Sequence, residues 1–359
     1  MEPKKYLLNL QKCAHGGINF AEFKELGIDP DNILDFSVST NPFMPPPGLK
    51  ETLWDIPVER YPDSRCLKLT GLLADRLKIA TENIIVGSGT TELIRLIALA
   101  YFRKGDNVGI LGPTYGEYET ACRMHGARVI SCRALEKNDF QPDIKAVTGA
   151  IQKRRPRAVF ICNPNNPTGK YLTRREIESI LEAGEDTLLV LDDAYATFVQ
   201  KAWNSLDLIK KQNVIILRSM TKDYGLPGLR LGYALANPDI IAILRAVLPP
   251  WSVNIVAQEF GAACLKQDKY LFETLQKIRA SKEYLIKAFG QLGFSVVPSD
   301  AHYFLVKVGD AAACRRTLLK RDIQVRDCTS FGLPEFIRIS PRSLPDCEKL
   351  IMTIKKEVK

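Results

Sequence analysis

Residues 214–233 read VIILRSMTKDYGLPGLRLGY. The run Val214, Ile215, Ile216, Leu217 has no polar alternation, which predicts a short strand inside a sheet buried on both faces. Lys222 follows shortly after the end of that strand. A lysine in such a place is ordinarily a solvated charge. Here Ser219 stands three residues before it and Arg230 eight after it, and both suit an anionic group. An amine held beside a phosphate and partly out of water can condense with an aldehyde.

The same pattern repeats outward from this stretch. Strands are predicted at 83–86, 107–111, 127–131, 158–162, 187–191, 214–217 and 231–234, with amphipathic helix patterns between several of them, as at 91–102 and 173–183. This alternation predicts an α/β chain: a large domain with a mainly parallel mixed sheet sandwiched by helices. Pro249, Pro250 and Trp251 interrupt it. Beyond them Leu271, Leu275, Ile278, Leu285 and Phe289 mark a long helix, stopped by Gly293. Short strands at 294–297, 303–308, 323–326 and 335–340 then alternate with two more helices, a smaller α/β C-terminal domain. The expected division is an arm over 1–45, a large domain over 46–248 and a small domain over 249–359.

Ligands on such sheets sit at the carboxyl ends of the strands, and the reactive residue types cluster there. Asp192 ends the apolar run 188–191 and continues as Asp193, Ala194 and Tyr195. A carboxylate so placed needs a cation, such as a protonated ring nitrogen, or hydrogen-bond donors. The turn 163–169, NPNNPTG, carries Asn166. Gly87, Ser88, Gly89, Thr90 and Thr91 open a helix after a strand, which offers free N–H groups to an anion. Tyr115 lies just past the next strand, where its ring can stack on a planar group.

Composition excludes other classes. Of 359 residues, 25% are charged and 46% hydrophobic, and no apolar run approaches the roughly 20 residues of a membrane helix. Nine scattered cysteines form no CxxC pair, and three histidines lie far apart in sequence. No disulfide framework, zinc ribbon or metal site is expected from them, and a reducing, cytoplasmic setting is. The opening residues lack an apolar core followed by a cleavage site, so no signal peptide is expected. The net charge of +9 is spread in small clusters, as at 153–155 and 315–316, which predicts a solvated surface and neither a nucleic-acid nor a membrane partner.

In this order, these motifs resemble the fold-type I pyridoxal-phosphate (PLP) enzymes, the aminotransferase superfamily. The resemblance implies pyridoxal 5'-phosphate as cofactor, with Lys222 as its Schiff-base lysine and Asp192 as the partner of its ring nitrogen. It implies that Asn166 and Tyr195 hold the ring hydroxyl, that Tyr115 stacks on the ring, and that Gly89, Thr90, Thr91, Ser219 and Arg230 hold the phosphate. Tyr61, in the motif Arg60-Tyr61-Pro62-Asp63, would reach the neighbouring subunit's cofactor in a homodimer.

Within the superfamily the chain is similar to the branch that joins histidinol-phosphate aminotransferases with threonine-phosphate decarboxylases. Ala14-His15-Gly16-Gly17, the segment 250–254 (PWSVN) and the run Val325-Arg326-Asp327-Cys328 match it; the first two resemble the decarboxylases most, while the run also occurs in aminotransferase relatives. That similarity implies that His15, Gly16 and Arg326 bind a substrate phosphate and Arg338 a carboxylate, with Asn166 also at the substrate. Ser39 stands where the branch usually has asparagine, and a cysteine-rich tail is absent. The expected reaction is decarboxylation of O-phospho-L-threonine, or of O-phosphoserine, to an amino-alcohol phosphate, a lyase step of cobalamin synthesis. The alternative is an aminotransferase acting on histidinol phosphate or another amino donor with 2-oxoglutarate. A cofactor-sensing DNA-binding regulator would need a fused helical domain, for which the Pro/Gly-rich arm is too short.

Overall fold

The strands of the computed structural model are, in chain order, β1 (Leu34–Asp35), β2 (Ile84–Gly87), β3 (Asn107–Gly112), β4 (Arg128–Arg133), β5 (Ala158–Cys162), β6 (Leu188–Asp192), β7 (Val214–Ser219), β8 (Gly232–Ala236), β9 (Ser295–Val296), β10 (Phe304–Lys307), β11 (Ile323–Gln324), β12 (Arg326–Asp327) and β13 (Phe336–Ile339). The structure describes every residue except Asn9, Gln11, Lys12, Met44, Lys50 and Lys359, and except the side chain of Thr52.

Seven strands form the main sheet in the order β2-β8-β7-β6-β5-β3-β4. All its pairings are parallel except those of β8, which runs antiparallel to both β2 and β7. Successive side chains on a strand point to opposite faces, so an uninterrupted apolar strand must be covered twice. Val190, Phe160, Ile215 and Leu217 pack with Leu93, Ile97 and Leu244 on one face. Leu189, Leu191, Ile161 and Ile216 pack with Leu73, Ile151 and Ile177 on the other. The covering helices include Gly89–Tyr101 and Pro238–Val247 on the first face and Leu67–Leu77, Ile144–Arg154 and Arg174–Glu182 on the second. This is the α/β fold expected from the sequence.

A second, antiparallel sheet in the order β12-β13-β10-β9 packs against the helices Asp268–Gln291, Ala311–Leu319 and Leu344–Glu357 around Phe289, Phe304, Leu318 and Leu350. The sequence pattern reads 323–326 as one strand; the chain instead divides it, β11 pairing with β1 and β12 with β13. The parallel pairing of β1 with β11, a separate two-stranded sheet, ties the N-terminal arm to the segment that leads into β12. Arm and small sheet therefore meet over the carboxyl ends of β2, β3, β5, β6 and β7. Among the described residues, no helix is long and apolar enough to cross a membrane.

Candidate active site

A cleft of about 930 Å³ opens at those carboxyl ends, closed by the arm and by β12 and β13. His15, Gly16, Ser39, Gly89, Thr90, Thr91, Tyr115, Asn166, Asp192, Tyr195, Ser219, Lys222, Arg230, Arg326 and Arg338 all line it. Tyr61 does not. Its ring lies 77% exposed and stacks on Trp251 with centroids 4.3 Å apart.

At one end is a cradle for an anion. Gly89, at the start of helix Gly89–Tyr101, has φ +76°, and a Cβ there would stand 2.9 Å from the Arg230 guanidinium. A Cβ on Gly232 would meet the Thr90 amide at the same distance. Only glycine lets the helix terminus approach Arg230 and β8 this closely. The Ser219 and Thr221 hydroxyls lie 2.9 Å apart beside it, and Thr91 Oγ1 lies 3.2 Å from the Tyr115 hydroxyl.

In the middle stands a buried carboxylate. Asp192 accepts hydrogen bonds from the Tyr118 hydroxyl (2.7 Å) and from the Ala194 amide (3.0 Å). Burial still pushes its carboxyl above the ordinary range, so the site favours a cation facing it. Asp193 serves elsewhere: it accepts from the Ser205 hydroxyl and faces Arg218 at 3.9 Å. Lys222 is half-buried, with Nζ 5.7 Å above the Tyr195 ring. Desolvation, helped by Arg338 and Arg230 and opposed by Asp192, lowers its pKa to about 8. A minor but appreciable share of this amine is thus neutral, and nucleophilic, near physiological pH.

Two more arginines, Arg326 and Arg338, line the cleft. Arg338 is 4% exposed; it donates to the Ser37 carbonyl (2.6 Å) and to Asn166 Oδ1, while its Nε has no partner among the described residues. The resemblance implies separate parts for Asn166 and Arg338, but here they are directly bonded. Arg326 donates to the Ala14 carbonyl (2.9 Å) and to the Ser330 hydroxyl (2.6 Å), which docks the arm. Gly16 packs so tightly that a Cβ would lie 2.5 Å from the Ser37 carbonyl oxygen. Ser39 shares a hydrogen bond of 2.7 Å with Ser340, so its hydroxyl is already satisfied. His15 Nε2 lies 3.2 Å from Glu117, which Arg95 also contacts at 3.3 Å.

Tyr118, Glu117, Arg95 and Thr221 were missed by the sequence reading. Tyr118 lies in the first turn of the helix Glu117–Met124, and its ring meets Tyr115 edge-on while stacking on Phe160.

A phosphate cradle, a buried carboxylate awaiting a cation, a neutralisable lysine and a tyrosine ring between them fit a phosphorylated pyridine aldehyde. Over residues 31–354 the sequence matches the family aminotransferase class I and II. The chain belongs to that family. Its cofactor is pyridoxal 5'-phosphate. The histidinol-phosphate aminotransferase of Moorella thermoacetica is 35% identical over 88% of this chain and 83% of its own. Further relatives, 31–35% identical over 79–93% of this chain, carry the same name. Among solved structures, the histidinol-phosphate aminotransferase of Sinorhizobium meliloti in complex with pyridoxal-5'-phosphate shares the fold (TM-score 0.87, 23% identity, 98% of this chain and 96% of that one). The L-threonine-O-3-phosphate decarboxylase of Porphyromonas gingivalis superposes with TM-score 0.76 at 28% identity, covering 89% of this chain and 98% of that one.

These comparisons place the chain in the histidinol-phosphate aminotransferase branch and correct the expected reaction. Relatives 32–35% identical over most of the chain are named histidinol-phosphate aminotransferase, which overturns decarboxylation of phosphothreonine or phosphoserine, and with it the lyase and cobalamin assignments. The stretches behind that expectation do structural work in this aminotransferase fold. Trp251 stacks on Tyr61, Asn254 caps the helix Ile255–Cys264, and the glycine at 16 allows the arm to pack on Ser37. Such packing needs the same residues whichever bond is broken.

Proposed function

We propose that this aminotransferase moves the amino group of histidinol phosphate to 2-oxoglutarate. The observation that carries the reading is the shared name of relatives 31–35% identical across most of the chain. The charge layout supports it: a cleft lined by Arg326 and Arg338 in addition to the cofactor's phosphate cradle suits a substrate with its own anionic group. Histidinol phosphate offers a phosphate there and 2-oxoglutarate a carboxylate, and guanidinium forks bind either in two-pronged fashion.

Pyridoxal phosphate supplies the electron sink and the carrier for the amino group. Gly89, Thr90, Thr91, Ser219 and Arg230 are assigned to its phosphate, Tyr115 to one ring face, and Asn166 and Tyr195 to its hydroxyl. Asp192, with Tyr118 and Ala194 donating to it, holds a proton on the ring nitrogen. Lys222 would carry the cofactor, and its amine, with a pKa of about 8, is suited to moving the substrate's α-proton. In this reading residues 46–248 carry the cofactor, while the arm over 1–45 and the unit over 249–359 close on the substrate. Tyr61, exposed and outside its own cleft, is assigned to the cleft of a second copy in a homodimer.

Purified holoenzyme given L-histidinol phosphate and 2-oxoglutarate is expected to form glutamate only when both are present. Failure to form glutamate under those conditions would reject the reading.

A further inference from the structure

Three donors of metal-ligand type meet at the mouth of the cleft. The Cys13 thiol, His15 Nε2 and a Glu117 carboxylate oxygen all lie within 4.8 Å of one another. Cys13 and His15 come from the arm, and Glu117 opens the helix Glu117–Met124. A zinc ion bound tetrahedrally at about 2.0–2.3 Å holds its nitrogen, oxygen and sulfur donors roughly 3.3–3.7 Å apart. The imidazole and carboxylate are already 3.2 Å apart. The thiol has to close by no more than about 1 Å, within reach of a side-chain rotation.

Room for that thiol is built into the backbone. Gly116 precedes the helix, and a Cβ there would stand 2.7 Å from Cys13 Sγ. Any other residue at 116 would force the thiol out of its present position. The charges also balance, since a thiolate and a carboxylate with a neutral imidazole offset a dication. One sulfur, one nitrogen and one oxygen donor select a zinc-class ion over magnesium or calcium, which take oxygen ligands.

Two cations oppose it. Arg95 touches Glu117 at 3.3 Å, but its side chain is 51% exposed and free to turn to solvent. Arg326 is held to the Ala14 carbonyl and to Ser330. Burial and Glu117 raise the Cys13 thiol pKa, so the ion must displace a proton and binds more tightly as pH rises.

We propose that Cys13, His15 and Glu117 form a three-ligand site for a zinc-class divalent cation, its fourth position facing the substrate cleft. His15 and Glu117 line that cleft, so the bound ion pins the arm to the helix and takes the imidazole away from the substrate. It raises KM for the phosphorylated substrate and leaves Lys222 untouched. The ion's binding stands on geometry alone; the effect on KM rests on the reading of His15 as a substrate ligand.

The test loads chelator-treated holoenzyme with zinc sulfate, desalts it and counts metal per chain. One zinc per chain is expected. Cys13→Ser and Gly116→Ala should each weaken retention at least about tenfold, the scale on which metal sites respond to lost support. Cys132→Ser, which alters the other partly exposed thiol, should leave retention unchanged. Cobalt(II) should give a sulfur-to-metal absorption band that is absent in Cys13→Ser, while metal-free Cys13→Ser keeps the wild-type kcat. Zinc that is not retained, or is retained equally by Cys13→Ser, overturns the proposal. Zinc retained with KM unchanged supports the metal site and counts against His15 as a substrate ligand.

Discussion

Replacing Tyr118 by phenylalanine removes one hydroxyl from a wholly buried ring that stacks on Phe160 at 5.0 Å and 12°. The ring and its packing stay; what is lost is the 2.7 Å hydrogen bond to Asp192. A buried hydrogen bond to a charged group is worth about 1.5–3 kcal/mol. At about 1.4 kcal/mol per factor of ten, the cofactor dissociation constant should rise roughly ten- to a hundredfold. The Ala194 amide remains as the other donor, so binding is weakened and not abolished. With one donor fewer, the Asp192 carboxyl protonates more readily, and the acid limb of kcat moves to higher pH. Equilibrium dialysis of apoenzyme against pyridoxal phosphate, with a pH profile of the reconstituted enzyme, measures both effects. A dissociation constant and an acid limb both equal to wild type would refute the assignment of Tyr118 and Asp192 to the ring nitrogen.

Capture of pyridoxal phosphate by apoenzyme should accelerate through pH 8, not pH 10.5, because burial and two arginines lower Lys222 to about 8; stopped-flow absorbance across pH 6–10 reads it. Gly16→Ala places a Cβ 2.5 Å from the Ser37 carbonyl oxygen, a clash of the kind that costs about 1–3 kcal/mol. KM for the phosphorylated substrate should rise about tenfold with cofactor affinity unchanged, as initial-rate kinetics and dialysis would show. His302 is buried with no hydrogen-bond partner on either ring nitrogen among the described residues, and burial lowers its pKa well below 6.5. It is therefore neutral in the folded state, and its contribution is complete above pH 6.5 and lost as pH falls, at up to about 1.4 kcal/mol per pH unit. Urea midpoints at pH 5 and 7 should differ less in His302→Phe than in wild type.

The strand ends were readable because an apolar run that needs cover on both faces leaves a strong signal, and β5 falls on the residues the pattern marks. The polar residues just past those runs had to lie along one edge of a parallel sheet, which is why Gly89, Tyr115, Asn166, Asp192 and Lys222 could be brought together from sequence. The rest depends on distant pairing. β1 has two residues and exists only through its partner β11. The bond between Asn166 and Arg338 joins residues 172 positions apart, and neither amide nor guanidinium announces the other. Tyr118 sits in an ordinary amphipathic helix, so its hydroxyl reads as core until Asp192 is placed beside it. The choice of reaction was misread for a related reason: residues such as Trp251 and Gly16 hold the fold whichever bond breaks.

The most direct measurement is borohydride reduction of the freshly purified protein, followed by peptide mapping of the attached pyridoxyl group. The account predicts one modified residue, Lys222, and a Lys222→Ala variant that folds, carries no attached group and forms no glutamate. Attachment at any other lysine, or turnover by Lys222→Ala, would contradict it.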